Sequence, residues 1–382
     1  MQKNFNGARL SKARIYRGFT TSELAEKIDC QRQTISMYEN GKSKPIDYHV
    51  IQKLSEVLEF PVKFFMEEDI DLSVGSTYFR ALLTTKKKYR KEQVSKMEFV
   101  SQIFNFLNEY IQFPTLDLPD FDGCNPEEAA TRLREYWQLG TKPIENIIYE
   151  VEQRGILVTS FSTNTDDVDA FSQMVDINGK EKFLIGFTSN KTSAARIHFD
   201  IAHELGHICL HDWYGDVEEL EREEFKRIEN EANQFASAFL LPEDAFKKDT
   251  AGKELNIPNY IDLKNKWKVS IQAMNYRAHK LGIISYEKYQ NMIRTLQRRG
   301  YRKSEPLDNS LIPVMPSMLR VAIVMLLSEK VFTPKEFMDE LSFSHNLSLY
   351  PKEIEYLLDL PEDTLAFQNV SEFPTLKIIP PK

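Results

Sequence analysis

The stretch His203-Glu204-Leu205-Gly206-His207 constrains the fold of this chain more than any other feature. A helix turns ~100° per residue, so on a helix the two imidazoles project from one face, one turn apart, with Glu204 rotated ~100° from His203. That spacing suits a metal ion held by His203 and His207, with Glu204 as a general base beside it. A helix is therefore expected here. A neighbouring element must also bring a third ligand, leaving a fourth position open for water.

The same helix does not supply that ligand. A longer histidine motif needs Gly at 210 and His at 213, where this chain has Leu210 and Trp213. His211 lies on the His203/His207 stripe, but roughly 12 Å from His203 along the axis, too far to share an ion while the helix continues. It is expected at the helix end, beside the ligands. The next apolar-patterned stretch, 225–240, carries Glu229-Asn230-Glu231-Ala232-Asn233-Gln234-Phe235-Ala236. Glu229 and Asn233 share a face, and Glu231 is ~200° away from Glu229. Glu229 is the expected third ligand and Glu231 the alternative. Asn233 is expected to orient a ligand or water, and Ala232, Phe235, Ala236 and Phe239 to pack. Such a set calls for one Zn²⁺ per chain.

At 382 residues, 42% hydrophobic and 28% charged, the chain has the length and composition of several folded domains rather than a disordered polymer. Cys30, Cys124 and Cys209 stand far apart without C-x-x-C spacing, which argues against a disulfide framework or a cysteine-held metal. The longest apolar run, 321–327, is far short of the ~20 residues needed to cross a bilayer, and the N-terminus carries no apolar signal segment. The expectation is a cytoplasmic protein with no membrane partner. The net charge of -8 is uneven: residues 1–66 hold eleven Lys/Arg against seven Asp/Glu, or +4, leaving -12 for the rest. A basic excess there favours contact with phosphate.

The pattern of this N-terminal segment agrees with its charge. Residues 7–16 and 22–28, the latter capped by Thr20, show helical apolar spacing, and a polar turn at Asp29 and Cys30 leads to a third helix over 31–39, stopped by Asn40-Gly41. A fourth amphipathic helix is expected over 45–58. A short helix, a tight turn and a second helix rich in amide, hydroxyl and guanidinium groups is what reading a major groove requires. Residues 10–65, including Gln33-Thr34-Ile35-Ser36-Met37-Tyr38-Glu39-Asn40-Gly41-Lys42, resemble the Xre/Cro-type helix-turn-helix family. The resemblance implies Gln31, Arg32, Gln33, Thr34 and Ser36 against bases of a double-stranded DNA operator, with Arg14, Lys42 and Lys44 on its phosphates. Tyr38 and Glu39 are expected to hold the domain together. A homodimer is compatible with the two-fold operators that such domains read.

Residues 67–124 are expected to form a helical connector, with a basic run at 86–91 as a solvated helix end and a long helix over 94–113 stopped by Pro114. From 125 to 306 the pattern is mixed α/β: helices over 126–139, capped by Asn125, and over 143–152, strands over 155–161 and 182–187, then the motif helix over 193–210. Tyr276, Arg277 and His279 are expected to pack or solvate a later helix, with stabilisation of a tetrahedral oxyanion as the alternative. Residues 307–382 suggest short helices at 316–328, 334–341 and 351–358, with Thr333 as a cap and an extended tail over 378–382, packed on the rest. The fold class expected is mainly α with a small β-sheet (α+β): an all-α N-terminal domain (1–66), a zincin-like α/β domain (125–306) and a C-terminal helical region.

Ile201-Ala202-His203-Glu204-Leu205-Gly206-His207-Ile208-Cys209-Leu210-His211, then Glu229 to Ala236 and Leu240-Leu241-Pro242, resemble the ImmA/IrrE metallopeptidases. The resemblance extends, with less detail, through 126–155 and 263–306, the latter including Trp267-Lys268-Val269-Ser270 and 299–306. It implies a zinc endopeptidase in a stress or mobile-element regulator, one that relieves repression by cutting a repressor protein. Two function classes follow. One is an active endopeptidase fused to a DNA-binding domain, which the intact Glu204 favours. The other is a non-proteolytic DNA-binding regulator, antitoxin-like, whose zincin-like domain senses a ligand or metal.

Overall fold

Polar side chains at the helix starts organise the N-terminal region of the computed structural model, which describes residues 5–42, 45–69, 73–79, 87–162, 170–177, 179–190, 193–213, 220–302 and 304–367. Helix α1 (Gly7–Tyr16) begins on Asn6, α2 (Thr21–Lys27) on a reciprocal Thr20/Glu23 capping box, and α4 (Tyr48–Leu58) on Asp47. Each cap satisfies amides that a first turn leaves open. Helix α3 (Arg32–Glu39) lies between α2 and α4, and a 3-10 turn (Val62–Met66) closes the region. Leu10, Ala13, Leu24, Ile35, Leu54 and Leu58 form its buried core. Helix α4 starts at Tyr48 rather than at Pro45 as expected, because Asp47 accepts the amide of His49.

The connector is not purely helical. Residues Ser73–Phe79 form strand β1, and α5 (Lys87–Leu107) begins inside the basic run and ends well before Pro114. That basic end is not merely solvated: Lys88 Nζ meets both Glu23 carboxylate oxygens at 2.8 Å, joining α5 to α2. Helices α6 (Pro126–Tyr136), capped by Asn125, and α7 (Ile147–Glu152), capped by Asn146, precede β2 (Leu157–Phe161), β3 (Ala170–Ile177) and β4 (Lys180–Thr188).

The four strands form one sheet in the order β1-β3-β4-β2, with β2 parallel to β4 and the other pairs antiparallel. Two of them, β1 and β3, are additional to the expected pair. Strand β3 is buried along almost its whole length, Ser172 and Gln173 included, so it lacks the polar/apolar alternation that marks a half-exposed strand. Helix α8 (Ala194–Leu210) packs on β3 and β4, and α9 (Arg222–Leu240) packs along α8. At Gly206 a Cβ would stand 3.2 Å from the Ala232 Cα and 3.1 Å from the Phe235 ring, so any side chain there would push α9 away by a few tenths of an ångström, which glycine avoids. Phe235 and Phe239 are fully buried beside that contact, each worth about 1.5–3 kcal/mol of apolar transfer.

Helices α10 (Glu243–Thr250), α11 (Ile257–Trp267), α12 (Ile271–Lys280) and α13 (Tyr286–Arg298) follow, then α14 (Met318–Ser328), α15 (Pro334–Ser344), capped by Thr333, and α16 (Pro351–Leu357). The last of these touches two regions at once. Leu357 O accepts from Thr159 of β2 at 3.0 Å, and the Glu353 carboxylate takes the Tyr16 hydroxyl and, at 2.5 Å, Arg17 Nη2 from α1. The tail expected over 378–382 and part of the acidic link between α8 and α9 lie outside the described residues. Among the described residues, no helix is long and apolar enough to cross a membrane.

Candidate functional site

The α8/α9 seam brings His203, His207 and Glu229 to one point. The imidazoles, one turn apart on α8, have their Nε2 atoms 3.1 Å apart. Glu229 reaches across from α9, Oε2 lying 3.5 Å from His203 Nε2 and Oε1 3.3 Å from His207 Nε2. Both histidines are fully buried, and Glu229 is half-buried. Burial alone would push the Glu229 carboxyl up, but hydrogen bonding and charge from His203 and His207 hold it at about 2. Among the described residues this is the only group of three or more His, Cys, Asp or Glu side chains whose ligand atoms cluster in this way.

Glu204 is also fully buried, and Ser172 Oγ on β3 donates to its Oε2 at 2.5 Å. Sequence reasoning missed Ser172. Its one available signal was a serine in a segment of buried residues, and the strand itself was not foreseen. His211, the C-cap of α8, sits with its Nδ1 2.9 Å from His207 Nδ1 and its Nε2 3.2 Å from Glu231 Oε2. Burial, then the neighbouring His207, push His211 down to about 4 against the pull of Glu231. The alternative ligand Glu231 is thus engaged elsewhere, with His211 and, at 3.0 Å, with Arg227.

Asn233 bonds to the main chain of Glu229 rather than to its side chain. Its Nδ2 donates to the main-chain carbonyl of Glu229 at 2.7 Å, an i to i+4 contact that leaves the Glu229 carboxylate untouched. The later helix supplies packing: Arg277 donates to Leu241 O and pairs with Glu127, and His279 stacks on Tyr289 with ring centres 5.0 Å apart. Tyr276 instead faces a cavity of about 520 Å³. That cavity is lined by Phe199 and Asp200, one turn before His203 on α8, and by Asn233, one turn after Glu229 on α9, and not by His203, His207 or Glu229 themselves.

On the N-terminal helices, Gln31, Arg32, Gln33, Ser36 and Lys42 are exposed and Thr34 is half-buried. Lys44 lies outside the described residues. Arg14 departs from its expected place on phosphate. Its Nε meets Glu39 Oε1 at 2.6 Å and its Nη1 donates to Phe19 O at 2.7 Å, so the guanidinium braces α1 against the end of α3. A short polar fork inside the domain outcompetes solvent for a planar cation of this kind.

Comparison with known families adds to this geometry. Residues 10–65 match the family described as helix-turn-helix, and residues 151–279 match a peptidase family described as IrrE N-terminal-like domain. No curated protein matches the chain. The first match spans α1 to the 3-10 turn, and the second spans β2 to α12 and includes His203, Glu204, His207 and Glu229. The chain therefore joins a helix-turn-helix domain of DNA-binding type to an IrrE-like domain of peptidase type, as the two resemblances imply.

Proposed function

We propose that the protein is a DNA-binding transcription regulator carrying a zinc-dependent endopeptidase, which cleaves a repressor or another partner protein, or itself, to switch gene expression in a stress or mobile-element response. The observation that carries this is the His203/His207/Glu229 triangle with Glu204 braced beside it. Four-coordinate zinc with bonds of about 2.0–2.1 Å needs ligand separations of about 3.3 Å. The observed 3.1, 3.3 and 3.5 Å fit that requirement. Two neutral imidazoles and one carboxylate leave a net positive centre with a fourth position for water or a peptide carbonyl.

Zinc bound there supplies Lewis acidity, which polarises a carbonyl and brings the pKa of water toward ~7. Glu204 takes the proton of the attacking water as the new C–O bond forms. It then passes that proton to the amide nitrogen as the C–N bond breaks. Ser172 keeps the carboxylate in place throughout by donating to Oε2. His211 and Glu231 fix the ring of His207 from the opposite side.

The test is incubation of the zinc-loaded full chain with candidate repressor proteins, including any small repressor found encoded beside its gene, and with itself, scored for cleavage. Glu204→Gln should keep about one zinc per chain and its operator binding, yet lose cleavage ~10²–10⁴-fold. If derepression in cells is unchanged by Glu204→Gln, the domain is a sensor rather than a protease.

A further inference from the structure

Five of the six residues 86–91 are cationic, in a chain whose residues beyond 66 carry a net charge of -12 (-8 minus +4). Two contacts fix where the described part of this run sits. Lys88 Nζ meets both Glu23 carboxylate oxygens at 2.8 Å, and a Cβ at Gly18 would stand 2.7 Å from Glu92 Oε2. Helix α5 therefore begins against the first turn of α2 and packs, one turn later, on the bend between α1 and α2. That first turn of α2 also touches the start of α3, where Arg32 Nε donates to Thr21 Oγ1 at 3.3 Å. In a helix-turn-helix pair the second helix presents its N-terminal residues to base edges in the major groove, while the first crosses the sugar-phosphate backbone. The Arg32–Thr21 and Glu23–Lys88 contacts thus lead outward from the base-reading end of α3, over the start of α2, to the basic start of α5. Lys91 follows Lys88 by three residues, about 4.5 Å along the helix axis. It is exposed, and among the described residues no carboxylate pairs with it. Lys87 and Arg90 are engaged by other groups.

We infer that the start of α5 extends the DNA-binding face beyond the helix-turn-helix domain, with Lys91 on a backbone phosphate next to the stretch that α2 crosses; the inference rests on the DNA-binding reading of that domain. Lys88 has a different part. Paired with Glu23, it cancels a carboxylate that would otherwise oppose phosphate, so Glu23 serves the capping box of α2 without repelling DNA. A lysine ammonium is a compact point charge on a flexible stem, suited to phosphate rather than to a base edge. The contact therefore adds affinity that is independent of sequence and weakened by salt.

The probe is a fluorescein-labelled mixed-sequence DNA duplex of about 40 bp, titrated with the full chain by anisotropy between about 50 and 200 mM salt, because phosphate contacts need no operator. Lys91→Ala should lower the slope of log K against log salt by about 0.9, so that wild type loses about three- to four-fold more affinity than the variant over that range. Lys91→Arg should keep the wild-type slope. Glu23→Gln, which keeps a capping-box residue, should release Lys88 and steepen the slope. Lys248→Ala removes the same charge from an exposed position on α10 and should leave the slope unchanged. A Lys91→Ala slope equal to wild type, while Lys42→Ala flattens it, overturns the inference and leaves DNA binding by the helix-turn-helix domain standing. An equal fall in Lys248→Ala would mean that net charge alone is being read, and also overturns it. Binding of a poly-glutamate peptide that depends on Lys91, with an unmoved DNA slope, assigns the surface to an acidic protein instead and overturns it too. A wild-type chain that binds no duplex overturns the DNA-binding reading itself and the inference with it.

Discussion

His203, Glu204 and His207 are fully buried on α8, whereas Gln31, Arg32, Gln33 and Ser36 stand exposed at and around the start of α3. Both sets are polar side chains projecting from a short stretch of helix, yet the fold treats them oppositely. A metal site depends on separations held to a few tenths of an ångström, so its ligands are enclosed between two helices, with Gly206 admitting the close approach and Ser172 and His211 bonded behind them. Groups proposed to read bases need to stay loosely committed until DNA arrives, and among the described residues these side chains carry only the 3.3 Å contact of Arg32 with Thr21 and the 3.4 Å bond that Ser36 Oγ accepts from Asn40. Internal commitment would thus separate structural polar residues from recognition residues even within one small domain: Arg14 is held by Glu39 and Phe19 O, whereas Arg32 has only a 3.3 Å contact with Thr21.

The largest effect expected from this contrast is at the enclosed site. His203→Ala should lower zinc from about one per chain to near none after dialysis, read by atomic absorption, because a zinc site of this type needs three protein ligands. The same variant should bind the operator within about 0.5 kcal/mol of wild type, since the two sites share no partners. Full zinc retention would remove His203 from the ligand set. Ser172→Ala should come next, lowering the cleavage rate ~10–100-fold with zinc retained, as for other groups that brace a catalytic carboxylate. A pH–rate profile distinguishes bracing from packing: losing the donor should shift the Glu204 limb upward in pH, and an unmoved limb would leave Ser172 with a packing role alone.

What was legible in the sequence follows the same division. Helical phase is local and periodic, so His203 and His207 could be set on one face from spacing alone, with Glu229 preferred to Glu231 on the next helix, and caps such as Thr20, Asn125 and Thr333 could be assigned from a few neighbouring letters. Contacts closed by strand pairing are not local. Strand β1 pairs with β3 about a hundred residues downstream, with Val74 opposite Val175. Nothing in either segment names its partner. Ser172 was hidden for that reason, and spacing does not reveal the i to i+4 bond by which the Asn233 amide holds the Glu229 main-chain carbonyl. The C-terminal helices gave no chemistry because their role lies in who they touch: α16 contacts both α1 and β2.

On the exposed side the expected changes are smaller and confined to DNA. Arg32→Ala and Gln33→Ala should each weaken operator binding by ~1–3 kcal/mol in a titration at fixed salt and relax discrimination at one base position, with zinc content unchanged. Operator affinity unchanged in both would exclude them from base reading.

Arg14 and Lys42 provide the finest discrimination, since the family resemblance assigned both to phosphate while the structure separates them. A cation on phosphate contributes about 0.9 to the slope of log K against log salt, so Lys42→Ala should flatten that slope by about this amount. Arg14 is turned inward, with Glu39 Oε1 at 2.6 Å and Phe19 O at 2.7 Å, and both Arg14 and Glu39 side chains are only 12% exposed. Arg14→Ala should therefore leave the salt slope within error of wild type and instead lower the melting temperature of the helix-turn-helix region, through loss of hydrogen bonds to a charged group worth about 1.5–3 kcal/mol. Glu39→Gln should reproduce the thermal loss in part, because it weakens the same fork from the other side. A slope that falls in Arg14→Ala as far as in Lys42→Ala would mean that the fork opens when DNA binds, making Arg14 a recognition residue held in reserve.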